Sequence, residues 1–142
     1  MKPYRRHPIE ECGEVLLSLE HRGFVLTDPH PYQAFGAPYG SNSPWMARSG
    51  VVQALEEAHD SLQGIRPEWR FRIFDAYRPN SVQAYMVGHE FRSLSGGRHP
   101  KEIPEAEAAL IWEKTYRIWA EPSDDPWTPP PHATGAALDL TL

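Results

Sequence analysis

The sequence predicts an α+β domain in which helices pack against a small sheet. Two stretches, 49–63 and 104–120, repeat apolar residues at the spacing of one helix face. Other segments read as strands: 71–77 is dense in aromatic and branched residues, and the chain's last residues alternate strictly. Proline-rich connections separate these pieces without any change of composition that would mark a second domain.

Taken in order, Val15-Leu16-Leu17 and Phe24-Val25-Leu26 are short apolar runs around a polar stretch with Gly23, and they predict strand or extended chain. Residues 28–45 predict a loop, because Pro29, Pro31, Pro38 and Pro44 deny helical hydrogen bonds while Gly36 and Gly40 permit turns. Tyr32, Phe35 and Tyr39 within it are expected to anchor the loop or line a cleft. In the helix over 49–63, Val51, Val52, Leu55, Ala58 and Leu62 form the apolar face, with Ser49 to cap the start and Gly64 to suit the end. His59 beside that face is expected to be a packed or surface histidine. The strand over 71–77 stops at Pro79.

A helix over 81–94 follows, with Val82, Tyr85, Met86 and His89 on one side and Ser95-Gly96-Gly97 at its end. The helix over 104–120 starts with Pro104 in its first turn and Glu105 and Glu107 at the positive end of the dipole. Its expected buried stripe is Ala108, Ile111, Trp112, Thr115, Ile118 and Trp119. Residues 121–131 form a second loop, whose Pro129-Pro130-Pro131 favours polyproline II and delivers His132 in extended chain. At the end, Leu138, Leu140 and Leu142 point one way, and Asp139 and Thr141 point the other, towards a polar cleft or solvent.

Composition narrows the function. At 142 residues the chain is large enough to bury a core. A net charge of -5 with no basic stripe argues against nucleic acid. Cys12 is the single cysteine, so neither an internal disulfide nor a cysteine-rich metal site can form. No apolar run approaches a membrane span, and the positive start at Arg5-Arg6 is not followed by a signal-like apolar region. A cytoplasmic protein without a membrane partner is expected.

Two groups of residues carry chemistry. His132 and Asp139 flank Gly135 and the small Ala136-Ala137, which let the backbone turn closely around a bound ion. Imidazole and carboxylate are suitable zinc ligands, although the same pair also suits an ordinary strand-edge contact. In Asp75-Ala76-Tyr77-Arg78-Pro79, Arg78 leaves the sheet where a guanidinium can meet a carboxylate or a developing oxyanion, with Asp75 holding it by a bidentate pair. A purely structural ion pair is the alternative.

Together, Asp-Ala-Tyr-Arg-Pro and the later His-x-x-Gly-x-x-x-Asp-Leu-Thr-Leu are far more specific than either alone. The combination resembles the zinc D-alanyl-D-alanine dipeptidases (peptidase family M15, including the vancomycin-resistance type). The loops at Asp28-Pro29-His30-Pro31-Tyr32, Gly36-Ala37-Pro38-Tyr39-Gly40 and Pro129-Pro130-Pro131-His132-Ala133-Thr134-Gly135 are similar too. The resemblance covers nearly the whole chain. It implies a Hedgehog/DD-peptidase-like fold with a small, mostly antiparallel sheet, and one zinc bound by His132 and Asp139. It also implies a metal-activated water that hydrolyses D-Ala-D-Ala or a related dipeptide, with Arg78 stabilising the tetrahedral intermediate and Asp75 and Tyr77 in support.

The chain departs from the family pattern in two places. Pro130 stands where some members carry serine, so no substrate contact from that hydroxyl transfers. The family's Glu-x-x-His, which supplies the general base and the third zinc ligand, is absent from this chain. Residues 1–142 are therefore expected to be a single, C-terminally truncated domain. A second polypeptide or self-association would complete it, leaving the leucine face or edge of the last strand open in the isolated chain. The alternatives are an inactive or half-enzyme module that binds metal or cell-wall peptide without cleavage, and a related zinc D,D- or L,D-carboxypeptidase. Removing Arg78 is expected to lower turnover far more than stability.

Overall fold

Helix faces and strand patterning come together in a computed structural model that describes residues 2–142. In chain order the regular elements are β1 (Leu16–Ser18), β2 (Val25–Leu26), α1 (Pro31–Ala34), β3 (Met46–Arg48), α2 (Ser49–Ile65), β4 (Arg72–Asp75), α3 (Asn80–Leu94), α4 (Glu105–Ile118) and β5 (Asp139–Thr141). Single 3-10 turns occupy Pro3–Arg6, Pro100–Glu102 and Pro131–Thr134. The expected α+β class is what forms.

The strands make two small sheets. β1 and β3 pair antiparallel. In the other sheet β4 is central, parallel to β2 on one side and antiparallel to β5 on the other. Two of the three pairings are thus antiparallel, as expected.

Packing on the β4–β5 ribbon decides the site. Ile73 pairs with Leu140, but the next pair is Asp75 with Asp139, because a β-bulge skips Phe74. One extra residue on one strand re-aims the following side chains. Here it sets Asp139 opposite the buried Asp75 instead of the exposed Phe74. Leu138 packs on the core, whereas Leu140 and Leu142 are exposed.

The main core lies under α2, where Val52 and Leu55 meet Leu19, Ala47, Ile73 and Ala76. Full burial of one such aliphatic side chain is worth about 1.5–3 kcal/mol. Val82 and Met86 of α3 pack with Ala37 and Tyr39 of the preceding loop. Phe91 joins Ile103, Ala108 and Ile111, tying α3 to α4. His59 is buried between Phe24 and Phe71, the packed histidine that the sequence favours.

Several local details differ from the sequence expectation. Ser49 does not cap α2: the Glu14 carboxylate accepts the Gly50 N–H at 2.7 Å, placing negative charge on the positive end of the dipole. The helix runs through Gly64 to Ile65. Residues 28–45 are not all loop, since Pro31–Ala34 forms one helical turn. Pro31 has no N–H to satisfy there, and His30 accepts the next two. α4 ends at Ile118, which is 74% exposed, and Trp119 is extended rather than helical. Its indole leaves the buried stripe and turns to the cleft described below.

Candidate active site

A cleft of about 380 Å³ lies where β4, β5, the end of α4 and the 3-10 turn at Pro131–Thr134 meet, lined by Tyr32, Arg78, Trp119, His132 and Asp139. Lys2 and Tyr4 of the N-terminal segment reach its wall. The three residues with chemical roles proposed from the sequence, Arg78, His132 and Asp139, thus share one cavity.

His132 is held by its backbone and its ring. Its carbonyl accepts the Arg78 N–H at 3.1 Å, and its Nδ1 lies 2.8 Å from the Ala76 carbonyl oxygen. A carbonyl only accepts, so Nδ1 carries the proton and Nε2 keeps its lone pair. Nε2 faces Asp139 Oδ2 at 3.6 Å. Gly135, between the two, has φ +73° in the left-handed region that glycine enters freely, and a Cβ there would run into Leu16. Its carbonyl accepts the Arg48 N–H at 2.8 Å, fastening the turn to β3.

Asp75 joins this pair: one ligand atom from each of Asp75, His132 and Asp139 lies within 4.8 Å of the others. The two carboxylates differ in character. Asp139 is exposed, and among the described residues only His132 approaches its oxygens. Asp75 is fully buried and already engaged on both oxygens. Its Oδ2 sits 3.3 Å from His132 Nδ1, the nitrogen that faces away from Asp139. Asp75 therefore orients the imidazole from behind, as carboxylates behind histidine ligands do. A lone pair at Nε2 beside a free carboxylate fits zinc in chemistry and in direction.

Arg78 is buried, with 6% of its surface exposed. The expected bidentate fork onto Asp75 is modified: Nε at 3.1 Å and Nη2 both donate to Oδ2, and Oδ1 is taken by His30 Nε2 at 3.0 Å. Nη1 donates to Gln83 Oε1 at 2.8 Å, and Gln83 in turn donates to the Ala120 carbonyl. The guanidinium carbon lies 4.9 Å from the Tyr32 ring centroid and 5.1 Å from that of Trp119, so two aromatic faces fix its plane. Burial pushes the Tyr32 hydroxyl up to about 12, against the opposing pull of Arg78. It stays a neutral donor at physiological pH.

Tyr77 does not join the cluster. Its backbone N–H donates to Pro44 at 3.0 Å, and it is not among the residues that line the cleft. His30, Gln83 and Trp119 belong to the site although the sequence did not mark them as such. Trp119 had a signal, the helix-weak run that follows it. His30 had one only in the Asp28-Pro29-His30-Pro31-Tyr32 loop that shares the family resemblance, and Gln83 had none beyond its place on a buried helix face.

The described residues contain no helix long and apolar enough to cross a membrane. A family model described as D-ala-D-ala dipeptidase matches residues 26–142. A curated D-alanyl-D-alanine dipeptidase from Synechocystis is 42% identical over 144 residues, covering all of this chain. The chain spans 58% of the length of that relative. No solved structure matched the chain.

Proposed function

This chain belongs to the D-Ala-D-Ala dipeptidase family, peptidase M15, and from that premise we propose that it hydrolyses D-Ala-D-Ala or a closely related D-amino-acid dipeptide in the cleft around Arg78, His132 and Asp139. The observation that carries the reading is the convergence of these three residues on one small cavity in a chain of this family. His132 Nε2 and the Asp139 carboxylate would hold zinc. Bound there, zinc supplies a Lewis acid and a water of lowered pKa.

The protein's own residues do the rest. Ala76 and Asp75 keep His132 in the tautomer whose lone pair faces Asp139. Arg78 brings a permanent positive charge to the wall; Asp75 takes its Nε and one Nη2 N–H and Gln83 one Nη1 N–H, which leaves one N–H on each Nη. The remaining N–H groups meet negative charge developing on the scissile carbonyl oxygen. Tyr32 and Trp119 hold that guanidinium flat and dry, which strengthens its electrostatic effect. A cavity of about 380 Å³ suits a ligand of dipeptide size. The same reading treats residues 1–142 as one domain and sets it in the cytoplasm, where the exposed thiol of Cys12 would stay reduced.

The test is release of D-alanine from D-Ala-D-Ala by the zinc-loaded chain, with L-Ala-L-Ala as control. Zinc binding without D-alanine release would replace this reading with a binding module. Equal cleavage of both stereoisomers would remove the substrate assignment.

A further inference from the structure

We propose that His30 is a positioning residue for this site, orienting the Asp75 carboxylate and through it both Arg78 and His132. The inference rests on the reading of His132 as metal ligand and Arg78 as anion-holding group, and extends it to a residue 45 positions before Asp75.

The hydrogen bonds assign the ring. His30 Nδ1 accepts the backbone N–H groups of Tyr32 at 3.3 Å and Gln33 at 3.4 Å. A nitrogen that accepts carries no proton, so Nε2 holds it and donates to Asp75 Oδ1 at 3.0 Å. The ring is 3% exposed and boxed by Tyr32, Tyr39 and Trp45, with centroids 4.8–5.4 Å away. It cannot rotate to another partner without breaking the start of α1.

Geometry then gives His30 a consequence beyond local packing. With Oδ1 tied, Asp75 has only Oδ2 to offer, and Oδ2 receives two donors from Arg78 while lying 3.3 Å from His132 Nδ1. One carboxylate thus sets the place of the cleft's cation and the tilt of its imidazole. His30 fixes that carboxylate's rotation. The neutral ring adds no charge, so Asp75 and Arg78 remain a balanced buried pair.

Two substitutions separate this role from simple capping of α1. In His30→Asn the shorter amide oxygen can still cap the helix, because it lies near the position of Nδ1, but no donor reaches Asp75. In His30→Gln the amide nitrogen reaches Asp75 from near the position of Nε2, and the cap is lost. For the full chain, the expected result for Asn is a zinc affinity lowered roughly tenfold by chelator competition. In a turnover assay kcat falls while KM stays close to wild type. Gln restores most of both. A readout that needs neither metal nor substrate is the imidazole nitrogen spectrum of the wild type, which should show His30 protonated at Nε2 and His132 at Nδ1.

The proposal is overturned if Asn keeps wild-type zinc affinity, if the two variants behave alike, or if the His30 proton resides on Nδ1. Should wild-type protein bind zinc and show the Asn–Gln contrast yet release no D-alanine, the dipeptidase assignment fails and the role of His30 stands.

Discussion

His132 Nε2 and Asp139 Oδ2 stand 3.6 Å apart across the cleft, while the other imidazole nitrogen is tied to the Ala76 carbonyl. Two side chains seven positions apart therefore aim at a common point, as a shared cation requires. The turn at Gly135 and the bulge at Phe74 produce this together: the turn leads the chain from His132 into β5, and the bulge sets Asp139 opposite Asp75.

Asp139→Asn should separate binding from folding. The Asp139 side chain is 55% exposed, so the change should move stability by no more than about 0.5 kcal/mol. Zinc affinity should fall at least roughly tenfold, since loss of even an orienting group beyond the ligands costs that much. Urea unfolding and chelator competition on the same preparation check both numbers.

Arg78→Ala should be expensive in stability as well as in turnover, contrary to the expectation drawn from sequence alone. The partner carboxylate is fully buried, and removing one member of a buried pair destabilises by about 3–5 kcal/mol. Arg78→Lys keeps the charge but loses the fork and the stacked plane. It should retain more of the fold than Ala while still losing activity, and denaturation midpoints beside D-alanine release distinguish the two.

Alkaline titration should expose Tyr32. In the folded protein its pKa rises from 10.0 to about 12, so between these values the unfolded chain gives up its proton first. The native state then binds more protons than the unfolded state, and stability falls as pH rises. The contribution is whole below pH 10.0 and is lost as pH passes about 12. Tyr32→Phe should flatten that slope in thermal melts. The parent's slope surviving unchanged would mean that other tyrosines, Tyr39 among them, carry it.

Gly135→Ala should destabilise by about 1–3 kcal/mol, the usual penalty for a side chain held in the left-handed region. The added methyl also meets Leu16. Zinc affinity should fall with stability, because the strain is relieved by opening the turn between His132 and Asp139. Unfolding and zinc titrations on one sample check the coupling.

Much of this was legible in the residues themselves. Helix faces in α2 and α4 appear as period, and Arg78, His132 and Asp139 appear as motif. What stayed hidden is what long-range contact decides. Glu14 replaces Ser49 as the cap of α2 only because the chain folds back across 36 residues. Ile118 continues the apolar period but is exposed because the helix ends at it, and Trp119 stacks on Arg78 for the same reason. His30 looks like a turn histidine between two prolines. Its partner is on a strand brought alongside by β2–β4 pairing.

The skipped residue at Phe74 sets a limit on how this ribbon can vary. Substitutions leave the pairing frame intact, whereas a further residue inserted between Ile73 and Asp75 would move Asp75 out of register with Asp139. The buried carboxylate that orients the imidazole would then no longer stand opposite the exposed one. Any redesign of this strand pair has to conserve residue count before it conserves residue type.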